Sequence, residues 1–233
     1  MADATLYDYI GVAIFFASWV GYTIFADNYT KSPTLITIMH DHRAAWMHRM
    51  LERENRVVDA QILGLTMRNV ALFASISVLI LGGSVAILGS LEKVRGLASD
   101  LAFVQETSKA MWEIKLLILS TIFIHAFFKF AWSLRQFNYT ATLLGAAPLN
   151  ASEEEFSEIP EALASLGSLA VKSYNQGIRT YYFGLAALTW FLHPLLMALA
   201  GVWIVLVMYR REFRSRTLKT LIQAEKARKT TKK

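Results

Sequence analysis

The sequence predicts an all-α integral membrane protein, and three observations carry that expectation. Four apolar stretches, at about residues 6–26, 70–88, 116–134 and 181–208, approach or exceed the ~20 residues that a helix needs to cross a hydrocarbon layer. The chain has 233 residues, of which 55% are hydrophobic, with a mean hydropathy of +0.36. A soluble domain would spread its apolar residues over amphipathic elements; here they come in blocks. The formal net charge is +6, and Lys and Arg crowd into the segments beside the blocks.

The first block reads as a retained transmembrane helix rather than a cleaved leader. Asp3 precedes it, with no Lys or Arg. Ala13, Ala17 and Gly21 recur every four residues, a seam at which another helix could approach, within the subunit or in a second copy. After Pro33, residues 40–61 carry no Pro or Gly and form one expected helix lying on the membrane surface. Arg49, Arg53 and Arg56 meet phosphates there, and Trp46, Met50 and Ile62 give apolar contact. The second spanning helix covers about 69–88 and holds Gly82 and Gly83. A mixed connection of about 89–113 leads to the third. Residues 140–148 read as a small-residue turn, and Glu153, Glu154, Glu155, Glu158 and Glu161 as a solvated acidic patch. A long helix is expected over about 163–208, broken or bent near Gly177 and Pro194. The domain division follows: residues 1–209 are the transmembrane bundle, and 210–233 a basic tail able to lie on anionic headgroups.

Orientation is contested within the chain. Four crossings put the first connection and the tail on opposite faces, yet both are rich in Lys and Arg. The tail is favoured as cytoplasmic, because its charges abut the last helix most densely. An odd number of crossings would remove the conflict.

The polar residues gather at helix ends that four alternating crossings would bring to one face. They are Arg53, Asn55, Arg56 and Asp59, then Lys129, Arg135 and Asn138, then Asn175 and Arg179. Arginine offers a planar fork suited to carboxylate or phosphate. Such a cluster either locks helix ends together or binds an anionic headgroup or a partner. Lys129 is expected to point inward, with Asp27 or Asp59 as its counter-charge. His125 and His193 fall near the middle of their stretches and could ligate haem b from two sides, or line a proton pathway. No cofactor is otherwise called for. His40, His42 and His48 lack the spacing for one metal ion, and no metal site is expected. With no Cys, the chain has no thiol chemistry and no disulfide. No glycine-rich phosphate loop, Ser–His–Asp arrangement or carboxylate pair is present, and no nucleic-acid partner is expected.

At these motifs the sequence resembles a family of bacterial multi-pass membrane proteins, domain of unknown function 599. The resemblance rests on Arg53-Glu54-Asn55-Arg56-Val57-Val58-Asp59-Ala60, on Trp132-Ser133-Leu134-Arg135-Gln136-Phe137-Asn138-Tyr139, on Asn175-Gln176-Gly177-Ile178-Arg179 with Tyr181-Tyr182-Phe183, and on Tyr209-Arg210-Arg211-Glu212-Phe213. It implies a helical protein of a bacterial inner membrane and no activity. The leading functional expectation is a non-enzymatic structural, accessory or regulatory protein. Its polar face would bind anionic lipid, another membrane protein or a second copy. A small transporter or oligomeric channel using Lys129 and the histidines is the alternative, and a haem-binding redox protein the third.

Overall fold

The computed structural model describes residues 4–28, 34–99, 105, 107–149 and 152–230. All regular structure among them is helical: α1 (Leu6–Asn28), α2 (Leu35–Leu51), α3 (Val57–Gly89), α4 (Leu91–Ser99), α5 (Lys109–Ala146), α6 (Glu153–Leu188), α7 (Pro194–Phe213) and α8 (Arg216–Thr230), with a 3₁₀ turn at Thr189–Phe191. Four stretches are long and apolar enough to cross a membrane: Leu6–Asn28, Val57–Gly89, Lys109–Ala146 and Pro194–Arg228. This fits a membrane protein.

Local chemistry sets the helix starts. Thr34 caps α2 in a reciprocal box with Thr37. The Asn55 Oδ1 accepts the Val57 N–H at the start of α3. Ser152 and Glu155 exchange hydrogen bonds at the start of α6, where Glu153, Glu154 and Glu155 meet the positive end of the helix dipole. His193 precedes Pro194, and its Nδ1 accepts the Leu195 N–H to open α7.

Several boundaries differ from the sequence expectation. Residues 40–61 are not one helix: α2 stops at Leu51, and α3 begins anew at Val57 behind the Asn55 cap. Residues 140–146 continue α5, because no helix breaker precedes Gly145. Gly177 does not interrupt α6, which continues to Leu188. The stretch 181–208, expected as one span broken or bent near Pro194, is two helices divided at the 3₁₀ turn and Pro194.

The chain forms two compact units. Unit 1 comprises Met1–Thr30, Ala74–Phe128 and Gln176–Met208; unit 2 comprises Lys31–Phe73, Lys129–Asn175 and Tyr209–Lys233. Four helices, α3, α5, α6 and α7, contribute to both.

In unit 1, contacts fix the direction of each helix. Gly11 of α1 lies against Pro194, and Phe15 and Ser18 lie against Gly201, so α1 and α7 run parallel. A Cβ at Gly11 would come within 2.7 Å of the Pro194 carbonyl oxygen, which is why only glycine serves there. Trp190 meets Asp8 at one end of α1 while Gln176 and Arg179 meet Asp27 at the other, so α6 runs antiparallel to α1. The same part of α6 runs against α5, with Tyr181 and Gly184 at Phe123 and Trp190 at Lys115. Ser77 of α3 bonds the Tyr181 hydroxyl at 2.9 Å. Phe15, Trp19 and Phe183 fill the space between α1 and α6. Beside the short α4, unit 1 thus holds α1 and parts of α3, α5, α6 and α7, with α6 antiparallel to α1 and α5, and α7 parallel to α1.

Unit 2 has its own core of Met47, Met50, Leu51, Leu144, Ala147, Leu163 and Ala164. Arg43 and His40 of α2 both reach the Ser168 hydroxyl on α6, at 2.5 and 2.8 Å, while that hydroxyl donates to the Ala164 carbonyl. Burial pushes the Arg43 guanidinium below its ordinary pKa. The α8 helix packs on α2. Its Leu218 is buried, and Glu225 takes both Arg228 hydrogen bonds and faces His42 at 3.8 Å.

Candidate functional site

The cluster expected at one face resolves into separate local contacts. Asp59, with no exposed surface, stands in the first turn of α3, where the helix dipole favours a carboxylate. Its Oδ1 accepts from the Arg53 Nη1 at 2.5 Å and from the Trp46 indole at 2.6 Å. Its Oδ2 is buried with no hydrogen bond among the described residues. The three residues tie the corner between α2 and α3. Arg56 turns the other way. Its two terminal nitrogens donate to the Ala147 and Pro148 carbonyls at 2.6 and 2.7 Å, closing the carbonyl end of α5 with a cation. Asn55 is spent on its cap.

Arg135 and Asn138 are exposed. Arg135 donates its Nε to the Tyr139 hydroxyl one turn on, at 2.7 Å, and lies over that ring. Asn175 is half-buried. Gln136 instead turns inward, accepting from Ser173 at 2.8 Å.

Arg179 is the deepest of the set, only 3% exposed. Its Nη2 lies 2.8 Å from the Asp27 Oδ1, the Gln176 amide donates to Oδ2 at 2.6 Å, and the Tyr22 ring flanks the guanidinium at 6.0 Å. Asp27 therefore serves Arg179, and Asp59 serves Arg53. Neither is the counter-charge of Lys129, for which both were candidates. Lys129 is half-buried and makes no ion pair among the described residues.

The histidines do not face one another across unit 1 as mid-helix residues. His125 is exposed on α5, with its ring at the edge of Trp19. His193 lies in the turn before α7, where its Nδ1 is engaged by the Leu195 N–H and Tyr7 stands beside the ring. Among the described residues, no group of three His, Cys, Asp or Glu side chains is placed to hold a metal ion.

A family model described as "Protein of unknown function, DUF599" matches residues 10–217. The chain belongs to the DUF599 family. No curated protein and no solved structure matches it. The DUF599 match runs from Ile10 in α1 to the second residue of α8, and so includes the Arg53–Asp59 and Arg179–Asp27 pairs and the Arg56 contacts with α5.

This DUF599 protein also holds a charged network that the sequence reading missed. Asp8, only 3% exposed, accepts from the Trp190 indole at 3.0 Å and from the Thr5 N–H and hydroxyl at 3.0 and 2.7 Å. Lys115, 2% exposed, joins the same tryptophan through its carbonyl and its ring. Asp8 and Lys115 each sit at the edge of an apolar stretch, and nothing local in the sequence marks either as buried. The available signal was Trp190, whose N–H needs a buried acceptor.

Proposed function

We propose that this DUF599 protein is a non-enzymatic structural, accessory or regulatory protein of a bacterial inner membrane. Its unit 2 meets a partner or anionic headgroups on the cytoplasmic side. One observation carries the reading: 19 of the 24 Lys and Arg residues fall in the ranges of unit 2, against 11 of the 18 Asp and Glu residues. Unit 1 is left with five cations and seven acids. Such an asymmetry is the mark of a cytoplasmic segment.

The helix directions support the same sidedness. Because α1 and α7 are parallel, the basic segments that follow them leave unit 1 at one end. This requires α6 to cross as a fifth helix, which its antiparallel course along α1 and α5 supports. Its polar first half and Arg179 hide that crossing from a hydropathy reading; Asp27 neutralises the arginine. Five crossings remove the conflict that four created.

Arg53, Arg179 and Arg56 of the shared motifs are spent on Asp59, Asp27 and backbone carbonyls, so these three hold helices together. The surface chemistry of the face falls to exposed Arg49, Arg210, Arg214, Lys219 and Lys226.

The absence of native cysteine makes the test direct. Single-cysteine variants Ser90→Cys and Thr220→Cys, both at exposed positions, are treated with a membrane-impermeant maleimide on intact cells. Labelling of Ser90→Cys alone is expected, and labelling of Thr220→Cys alone overturns the sidedness. Purification in mild detergent is expected to retain a protein or anionic-lipid partner. Recovery of lone, lipid-free monomer overturns the binding role.

A further inference from the structure

In unit 2 three aromatic rings fix a common level on three helices. Phe73 of α3 stacks on Phe130 of α5 with centroids 5.6 Å apart, and Tyr174 of α6 lies 5.9 Å from each. A cation stands close to each ring along its own helix: Arg68, Lys129 and Lys172. At 1.5 Å per residue the three span about 9 Å along the helix axes, comparable to the headgroup layer of one leaflet.

An exposed apolar residue gives way to a cation on three helices. On α5, Phe128 is 64% exposed and Lys129 follows; on α7, Leu206 is 57% exposed and Arg210 follows; on α3, Leu72 is 58% exposed and Arg68 and Asn69 interrupt an apolar surface that resumes at Leu65 and Ile62. Trp132 and Tyr209, 53% and 38% exposed, stand at the same places, as interfacial aromatics do. Arg68, Lys172 and Arg210 are exposed, Lys129 is half-buried, and none of the four pairs with a carboxylate among the described residues.

From this we infer that Arg68, Lys129, Lys172 and Arg210 form a cationic collar that binds the phosphates of anionic phospholipids in the cytoplasmic leaflet. The inference deepens the reading above and rests on it. It gives Lys129 a role at the membrane surface instead of in a pathway. Arg68, Lys129 and Lys172 lie outside the motifs that hold Arg53, Arg56 and Arg179, while Arg210 belongs to the Tyr209–Phe213 motif and opens the tail.

The test uses the full chain in mild detergent, supplied with equal phosphatidylglycerol and phosphatidylcholine and read by native mass spectrometry. Wild type is expected to retain phosphatidylglycerol preferentially. Each of Arg68→Gln, Lys172→Gln and Arg210→Gln should cut that preference about fivefold, the effect of ~1 kcal/mol per juxtamembrane cation. The combined variant with Lys129→Gln should show none. Lys93→Gln on α4, an exposed position in unit 1, removes the same charge away from the collar and should leave the preference intact. Because the three single substitutions are at exposed positions, unchanged circular dichroism is expected and checks folding. Equal retention by the combined variant, or an effect of Lys93→Gln as large as theirs, overturns the collar. So does displacement of the lipid by millimolar inorganic phosphate, which would mean a free-anion site. A reversed maleimide pattern instead overturns the reading beneath it, so the two failures are told apart.

Discussion

The Lys115 Nζ donates to the Trp190 carbonyl at 3.0 Å and stands 5.5 Å from the centre of the same residue's indole ring. Trp190 also gives its N–H to Asp8, so one side chain holds α1, α5 and the 3₁₀ turn together. Trp190→Phe keeps the ring and removes the N–H. It strips a buried carboxylate of one donor, at a cost on the order of 1–3 kcal/mol. A lower Tm in detergent is the expected result, with Lys115→Met, which removes the cation and keeps the volume, lowering it less.

The Arg179–Asp27 pair admits a double-mutant cycle. Asp27→Leu alone leaves a buried guanidinium without its counter-charge, which costs about 3–5 kcal/mol. Adding Arg179→Met removes the orphaned charge. The double variant is expected to be at least ~1 kcal/mol more stable than the sum of the singles, read by denaturant titration in mixed micelles. Strict additivity would show that the two charges do not stabilise each other.

Arg56 is predicted to govern the end of α5. Arg56→Ala frees the Ala147 and Pro148 carbonyls and removes a cation from the negative end of the helix. Faster amide exchange over residues 140–148 is expected, with a loss of ~1.5–3 kcal/mol. Exchange confined to α3 would place the role of Arg56 at its own helix instead.

Two glycines in α1 should behave oppositely. Gly11→Ala drives a Cβ toward the Pro194 carbonyl oxygen, 2.7 Å away, and should cost ~1–3 kcal/mol by forcing α1 and α7 apart. Gly21→Ala meets nothing within 4 Å and should be neutral or slightly stabilising. Thermal unfolding of the pair decides it.

The first turn of α6 should loosen in acid. The Ser152 N–H and hydroxyl beside Glu155 hold its carboxyl below the ordinary glutamate range. A depressed folded pKa gives stability that is complete above the unfolded value and lost as pH falls through the folded one. Amide exchange over 153–157 should therefore rise below about pH 4, and Glu155→Gln should remove that dependence.

The apolar stretches were legible because hydropathy is a local property of consecutive residues. Their full extent was not. In α3 and α5 the polar turns at 57–69 and 135–146 are helical through packing in unit 2, which no local pattern reports. Pro194 announced a break in the last stretch, but not that the chain reverses there; that follows from Gly11 and Gly201, which lie far away in sequence. The residues of the polar cluster were found by type. Their pairing was not, since Arg179 to Asp27 and Asp8 to Trp190 span most of the chain. Arg53 and Asp59, six residues apart, formed the one pair that proximity could suggest.

The shared hydroxyl of Ser168 fixes the tautomer of a histidine. A serine has a single proton to give, and here the Ala164 carbonyl takes it. The contacts from Arg43 and His40 must both be donated to that oxygen. The imidazole of His40 therefore carries its hydrogen on Nδ1. Its Nε2 lone pair is left facing Glu161, 4.0 Å away, where an added proton would complete an ion pair between α2 and α6.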